Sequence, residues 1–217
     1  MNHFCIIGLG RFGKTLALKL NEYGKNVLAV DTSADRIDEV DEYIDGLVGD
    51  ATKEEFLNGI GISNYDCAVV CFSNNINASV LTTLLLKEKG VPKVVVRASN
   101  ELHKKVLEKI GADVVILPEN DMGEKVAYRL AKNNVLEFIE LDDKHSITEF
   151  EMPKSWIGKS AIELNVRQRY GVSIVALRSG KGDLTVSIDP NVPFKPDDKI
   201  IVIGPKENMD KISQAAK

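Results

Sequence analysis

Three glycines, Gly8, Gly10 and Gly13, stand in the run GLGRFG, between the apolar stretch FCII and the helix-like stretch RFGKTLALKLNEYG. Residues of this type at this spacing suit nucleotide or dinucleotide binding. Glycine lets the backbone approach a pyrophosphate closely, and the N-terminus of the following helix offers free N–H groups and a favourable dipole. Asp31 closes the next apolar run, NVLAVD, 18 residues beyond Gly13, near the spacing at which a carboxylate meets the ribose hydroxyls of such a ligand. That carboxylate repels a 2′-phosphate and no arginine directly follows it in DTS, so NADP is disfavoured. Arg11 falls in the first helical turn, against the positive end of the dipole. A cation there makes sense if it reaches a phosphate, of its own ligand or of one bound by a neighbouring subunit. The alternatives are a solvated arginine and a glycine turn that only packs.

Groups for turnover are scarce. A dehydrogenase needs a proton-transfer residue and a substrate pocket beside the nicotinamide. The histidines are His3, which begins a strand-like run, His103, and His145, which lies beside Asp142 and Asp143 in DDKHS and reads as part of a solvated turn. No HExxH, GxSxG or nucleophile–base pairing occurs. Cys5, Cys67 and Cys71 lie in apolar runs. Cys67 and Cys71 stand four apart, where a redox pair or metal site is the alternative, but neither a CxxC nor a nearby histidine supports it, and the three read as buried core thiols. Binding without turnover is the expectation. Two other classes stay open: a small NAD(H)-dependent oxidoreductase, and an NAD(H) redox sensor that regulates transcription. The second needs a DNA-binding element, yet the net charge is −4 and no basic run or helix-turn-helix pattern is present.

The elements that must position these residues follow from periodicity. The 217 residues are 44% hydrophobic and 28% charged, an ordinary globular composition. No apolar run approaches the roughly 20 residues that span a bilayer, and the chain opens on a strand-like run with no basic leader, so a cytoplasmic location is expected. Continuous Val/Ile runs (HFCIIG, NVLAVD, GLVGD, DCAVVCF, KVVVRA, DVVILP) alternate with amphipathic stretches. Runs apolar on both faces suit a buried parallel sheet, and six strand–helix units in this order predict a doubly wound α/β domain. Gly24 is placed to end the first helix, Ser33 to cap one over SADRIDEVDEYI, and Thr52 to cap one over TKEEFLNGIG. A long helix, ENDMGEKVAYRLAKNN, closes the first domain, assigned to 1–134. From Val135 the pattern alternates apolar and polar, as in half-exposed antiparallel strands, and 135–217 reads as a small α+β domain with a hairpin turning at GKGD.

GLGRFG, GDATKEEFLNGIGI, NASVLTTLLLKEKG and VVVRASNELHKKVLEKIGADVVILPENDMGEKVA together resemble the RCK, or TrkA-N, domain, and WIGKSAIELNVRQRYGVSIVALRSG resembles the TrkA-C domain that follows it. The resemblance covers essentially the whole chain and is nearest to KtrA-type cytosolic subunits of bacterial potassium uptake systems. It implies a Rossmann-like domain followed by a TrkA-C domain. It further implies a homodimer that assembles into an octameric gating ring on a membrane-embedded K⁺-translocating subunit of the KtrB or TrkH kind. ATP and ADP are the implied ligands in KtrA-like members, NAD and NADH in TrkA-like ones.

Carried onto this sequence, the resemblance implies that Gly8, Gly10, Arg11, Phe12 and Gly13 cradle the phosphates and that Asp31, Thr32 and Ser33 hold the ribose. Asp50 and Ala51 then lie along the adenine. Ser73, Asn74 and Asn75 follow the fourth strand, where relatives often carry a glycine-containing triplet; Arg97, Ala98 and Ser99 follow the fifth, with His103 one turn on. Glu119, at the start of the long helix, is implied to help hold Mg²⁺ or Ca²⁺ at a dimer interface, although a dipole-favoured acid is common at such a place. In the second domain Ile162, Arg169, Ile174 and Ala176 are implied to line a cleft for cyclic di-AMP, and an apolar dimer seam accounts for the same residues.

Overall fold

The computed structural model describes residues 1–215 apart from Asp41, Ser73 and Asn133. They divide into two compact units, Met1–Glu119 and Asn120–Lys217.

The first unit runs β1 (His3–Ile7), α1 (Arg11–Glu22), β2 (Asn26–Asp31), α2 (Ala34–Asp38), β3 (Asp45–Val48), α3 (Glu54–Gly59), β4 (Cys67–Val70), α4 (Ile76–Glu88), β5 (Lys93–Arg97), α5 (Glu101–Lys109) and β6 (Val114–Ile116). Its six strands are parallel in the order β3-β2-β1-β4-β5-β6, the doubly wound arrangement expected. Burial on both faces explains the unbroken apolar runs. Cys5 and Ile7 of β1 join Ala68 and Val70 of β4 in one core, while Ile6, Cys67, Val69 and Cys71 join the core on the other face. All three thiols are buried and free, and burial pushes Cys5 and Cys71 up to about 12.

Local signals set the helix ends. Gly24, at φ +71°, ends α1 with its N–H on the Asn21 carbonyl, as expected. The Asn75 and Asn100 side chains accept from the N–H groups of Ala78 and His103 at 3.0 and 2.9 Å, capping α4 and α5. Two expected caps differ. Ser33 sits at the cap position of α2 without a side-chain bond, and α2 spans five residues instead of the whole of SADRIDEVDEYI. Thr52 does not cap α3, because its hydroxyl donates to Asp50 at 2.6 Å and Lys53 takes the cap position.

The helix α6 (Pro118–Ala131) begins at the end of the first unit. The domain expectation placed all of it in 1–134; the compact division falls at its first turn, so α6 from Asn120 onward groups with the second unit. Beyond it lie β7 (Val135–Glu140), β8 (His145–Glu151), α7 (Ala161–Leu164), α8 (Val166–Tyr170), β9 (Ser173–Arg178), β10 (Leu184–Val186), β11 (Lys199–Pro205) and α9 (Lys206–Ala215). The strands form an antiparallel sheet in the order β10-β9-β11-β8-β7. The inward face of β8 (Ser146, Thr148 and Phe150) is fully buried, the alternation its sequence predicted. Trp156 and Phe150 fill the core of this unit, with the indole N–H donating to the Tyr170 hydroxyl at 3.2 Å.

Candidate functional site

The GLGRFG run turns between β1 and α1 at the sheet's switch point, where β1 lies between β2 and β4. Each glycine answers a different need. Gly8 has φ +96°, and its N–H donates to the Val30 carbonyl at 2.7 Å. At Gly13 a Cβ would stand 1.9 Å from the Gly8 carbonyl oxygen, so the helix packs on the loop only because Gly13 has no side chain. At Gly10 a Cβ would meet nothing within 4 Å. Gly10 faces a cavity of about 540 Å³ outside the carboxyl ends of the strands, the place where open α/β sheets bind ligands. The backbone at Gly10 therefore faces open space in this cavity.

Asp31, at the end of β2, is the most constrained polar group on the cavity wall. Its side chain is only 4% exposed. One oxygen accepts from the Leu9 N–H at 2.7 Å and from Arg36 at 3.3 Å; the other accepts from the Ser33 N–H at 2.9 Å. The carboxylate therefore fixes the glycine loop to β2, and its second oxygen accepts a single bond among the described residues. Arg36 balances a charge that is otherwise costly to bury. Farther along the wall, the Thr52 hydroxyl and backbone N–H hold the Asp50 carboxyl below its ordinary range.

Of the expected residues, Gly8, Gly10, Asp31, Thr32, Asp50, Ala51, Asn74, Asn75 and Arg97 come together on this cavity. Ser73 lies outside the described residues. Arg11 is exposed at the first position of α1 and does not line the cavity, and its guanidinium has no partner among the described residues. Phe12 packs on the core, with the Arg97 guanidinium 5.9 Å from its ring centre. Gly13, Ser33, Ala98 and Ser99 do not line the cavity. His103 is likewise off the cavity and buried. Its Nδ1 accepts from the Ser99 N–H at 3.2 Å, and desolvation lowers its pKa. Glu119 is exposed and ion-paired with Arg97. Among the described residues no three His, Cys, Asp or Glu side chains group as a metal site.

The structure adds residues the sequence did not single out. Arg36 lines the cavity five positions after Asp31, a basic residue on the first turns of α2. Gly49 lines it too, and a Cβ there would stand 1.9 Å from the Phe56 ring. Cys71 completes the floor, with its thiol kept protonated by burial. In the second unit Ile162 and Ile174 border a cavity of about 430 Å³, together with Arg167 and Pro190. Ala176 is buried within β9, and the Arg169 guanidinium lies 5.9 Å from the Tyr170 ring; neither borders that cavity.

A family model described as the TrkA-N domain matches residues 4–118, and one described as the TrkA-C domain matches residues 147–217. The chain is 41% identical over 209 residues to the Ktr system potassium uptake protein A of Bacillus subtilis (strain 168), across 96% of this chain and 94% of that protein. It is 40% identical over 202 residues to the Ktr system potassium uptake protein C of the same organism, across 93% and 91% respectively. Among solved structures, the GsuK channel bound to NAD aligns with TM-score 0.68 at 18% identity, over 100% of this chain and 39% of that longer one, a likeness of fold.

Proposed function

Because the chain belongs to the Ktr-type family of proteins that join a TrkA-N to a TrkA-C domain, we propose that it is the nucleotide-responsive regulatory subunit of a potassium uptake system. The observation that carries this reading is the cavity at the strand ends, where Gly10 leaves room for phosphate and Asp31 offers a preset carboxylate for ribose. The preferred ligands are ATP and ADP, the pair that the resemblance to KtrA-type subunits implies. NAD, which the GsuK channel of similar fold binds, fits the same dinucleotide geometry, as does NADH.

Regulation by exchange of two nucleotides is a population shift. It requires that ATP and ADP bind two conformations with different affinity, each tenfold difference being about 1.4 kcal/mol of bias. Assembly supports such a switch. In α6 the exposed Met122, Val126 and Leu130 (60%, 44% and 77%) recur every fourth residue, and α6 contributes no buried residue of its own. Such an apolar stripe suits a second copy of the chain, hence a homodimer and, through further contacts, an octameric ring that docks on a membrane-embedded K⁺-translocating partner. No helix among the described residues is long and apolar enough to cross a membrane. A cytoplasmic subunit held at the membrane by its partner fits that observation.

The reading is one of binding without turnover. The acid–base groups on the cavity are committed: Asp31 to Leu9, Ser33 and Arg36, Asp50 to Thr52, and Cys71 to the protonated thiol. For a divalent cation one chain does not suffice, since Glu119 offers a single carboxylate already paired with Arg97. A shared site would need Glu119 from two subunits together with phosphate oxygens. The cavity beside Ile162 and Ile174 is the place proposed for cyclic di-AMP.

The test is rubidium flux into vesicles that hold the K⁺-translocating subunit, with and without this chain and with ATP or ADP inside the assay. Flux that depends on the chain and differs between the two nucleotides is expected. Flux indifferent to both the chain and the nucleotide contradicts the proposal.

A further inference from the structure

Arg97 is held in an arrangement that its own chain leaves unfinished. It ends β5 and lines the nucleotide cavity, with its side chain 20% exposed. Its guanidinium lies 5.9 Å from the ring centre of Phe12, in the first turn of α1, so a cation stands close to the positive end of that helix. The arrangement favours an anion beside it. Glu119 supplies part of that anion by accepting from the terminal guanidinium nitrogen Nη2. The Nε–H, by contrast, is buried and has no acceptor among the described residues. An arginine offers five donors in a fixed fork, a shape matched by phosphate as well as by carboxylate. A buried Nε–H left without a partner, on an arginine that lines a cavity of about 540 Å³, calls for an acceptor from outside the chain.

We propose that Arg97 reads the outer phosphate of a nucleoside polyphosphate bound in this cavity, and that Glu119 is its resident counter-ion when no phosphate is there. The inference rests on the nucleotide reading of the cavity and assigns within it the group that senses the ligand's outer charge. Phosphate oxygens complete the fork through the idle Nε–H and compete with Glu119 for the rest of the guanidinium. Glu119 sits in the first turn of α6, so the competition ties the occupancy of the cavity to the start of that helix. Two consequences have opposite sign. Removing the guanidinium weakens binding, and more so for the ligand with more phosphate charge. Removing the Glu119 charge strengthens binding, because the phosphate no longer displaces a carboxylate.

Calorimetric titration of the full chain with ATP and with ADP, in EDTA and again in Mg²⁺, tests both. In EDTA, Arg97→Gln is expected to weaken ATP binding by about tenfold to a hundredfold, the range for losing hydrogen bonds to a charged group. The loss for ADP is smaller, and Arg97→Lys, which keeps the charge without the fork, falls between. Glu119→Gln is expected to tighten both nucleotides several-fold in EDTA. Arg97→Gln binding equal to the natural chain overturns the proposal. So does a Glu119→Gln variant that binds more weakly without metal, since Glu119 is then a ligand and no competitor. Glu119→Gln removes only an exposed carboxylate, so the competition is readable even if an Arg97 variant folds poorly. A natural chain that binds neither nucleotide removes the nucleotide reading altogether. Intact binding in the natural chain with unchanged variants removes only the role of Arg97.

Discussion

Asp31 shows how much one carboxylate can be asked to do. Its spacing from the glycines marked it as a ribose ligand, and the structure adds a bond to the Leu9 N–H inside the glycine loop itself. That second task left no mark in the spacing, because it depends on how β1 and β2 pair. Arg36 was hidden for a related reason: it lies beyond the two residues that directly follow Asp31, and only the start of α2 turns it back to the carboxylate. His103 had a readable signal that pointed elsewhere. Four residues before buried Leu107, it shares the core face of α5, and there its ring is desolvated and its pKa lowered from 6.5. The unfolded chain therefore binds a proton near pH 6.5 that the folded chain refuses until lower pH. Stability from this group is complete above pH 6.5 and falls away as pH drops below it toward the depressed folded value. The change His103→Gln is expected to flatten the pH dependence of urea midpoints between about pH 7 and 5. A variant slope as steep as that of the natural chain would contradict the assignment.

At the scale of elements, the parallel sheet was legible because its strands are apolar on both faces, and the antiparallel sheet because its strands alternate. The short elements were less so. Thr52 has the residue type of a helix cap, but its hydroxyl is taken by the carboxylate of Asp50 two positions earlier, a competition that a reading of helix ends alone does not weigh. The strand–turn–helix around GLGRFG makes the sharpest element-scale prediction, because two of its glycines differ only in what surrounds them. Gly13→Ala drives a Cβ to 1.9 Å from the Gly8 carbonyl oxygen, and at least one of the two backbones must move. It is expected to cost about 1–3 kcal/mol, several degrees in Tm. Gly10→Ala meets nothing, and Gly10 already has φ −65°, so its cost is held to about 1 kcal/mol, that of a poorer helix cap. Thermal melts of the two variants check the contrast. Equal destabilisation by both would mean that Gly10 also serves packing and that the space before it is not reserved for a ligand.

The whole molecule is built on separate cores, one on each face of the parallel sheet in the first unit and another in the second. Periodicity located α6 as a helix, but its assignment to the first domain did not follow from that pattern, since an amphipathic stripe is the same whichever core or partner receives it. Its Met122, Val126 and Leu130 remain exposed in the single chain, which is the molecular-scale reason to expect that this protein works as an assembly. Regulation by such an assembly stands on one event, the arrival of a nucleotide at the glycine loop. The measurement that bears on it most directly is calorimetric titration of the purified chain with ATP, ADP, NAD and NADH, each run beside Gly10→Ala. Tight ATP and ADP binding and weaker NAD and NADH binding are expected, with loss of all of it in a variant that remains folded. Binding that survives Gly10→Ala unchanged, or no binding by any of the four, would contradict a nucleotide-responsive role.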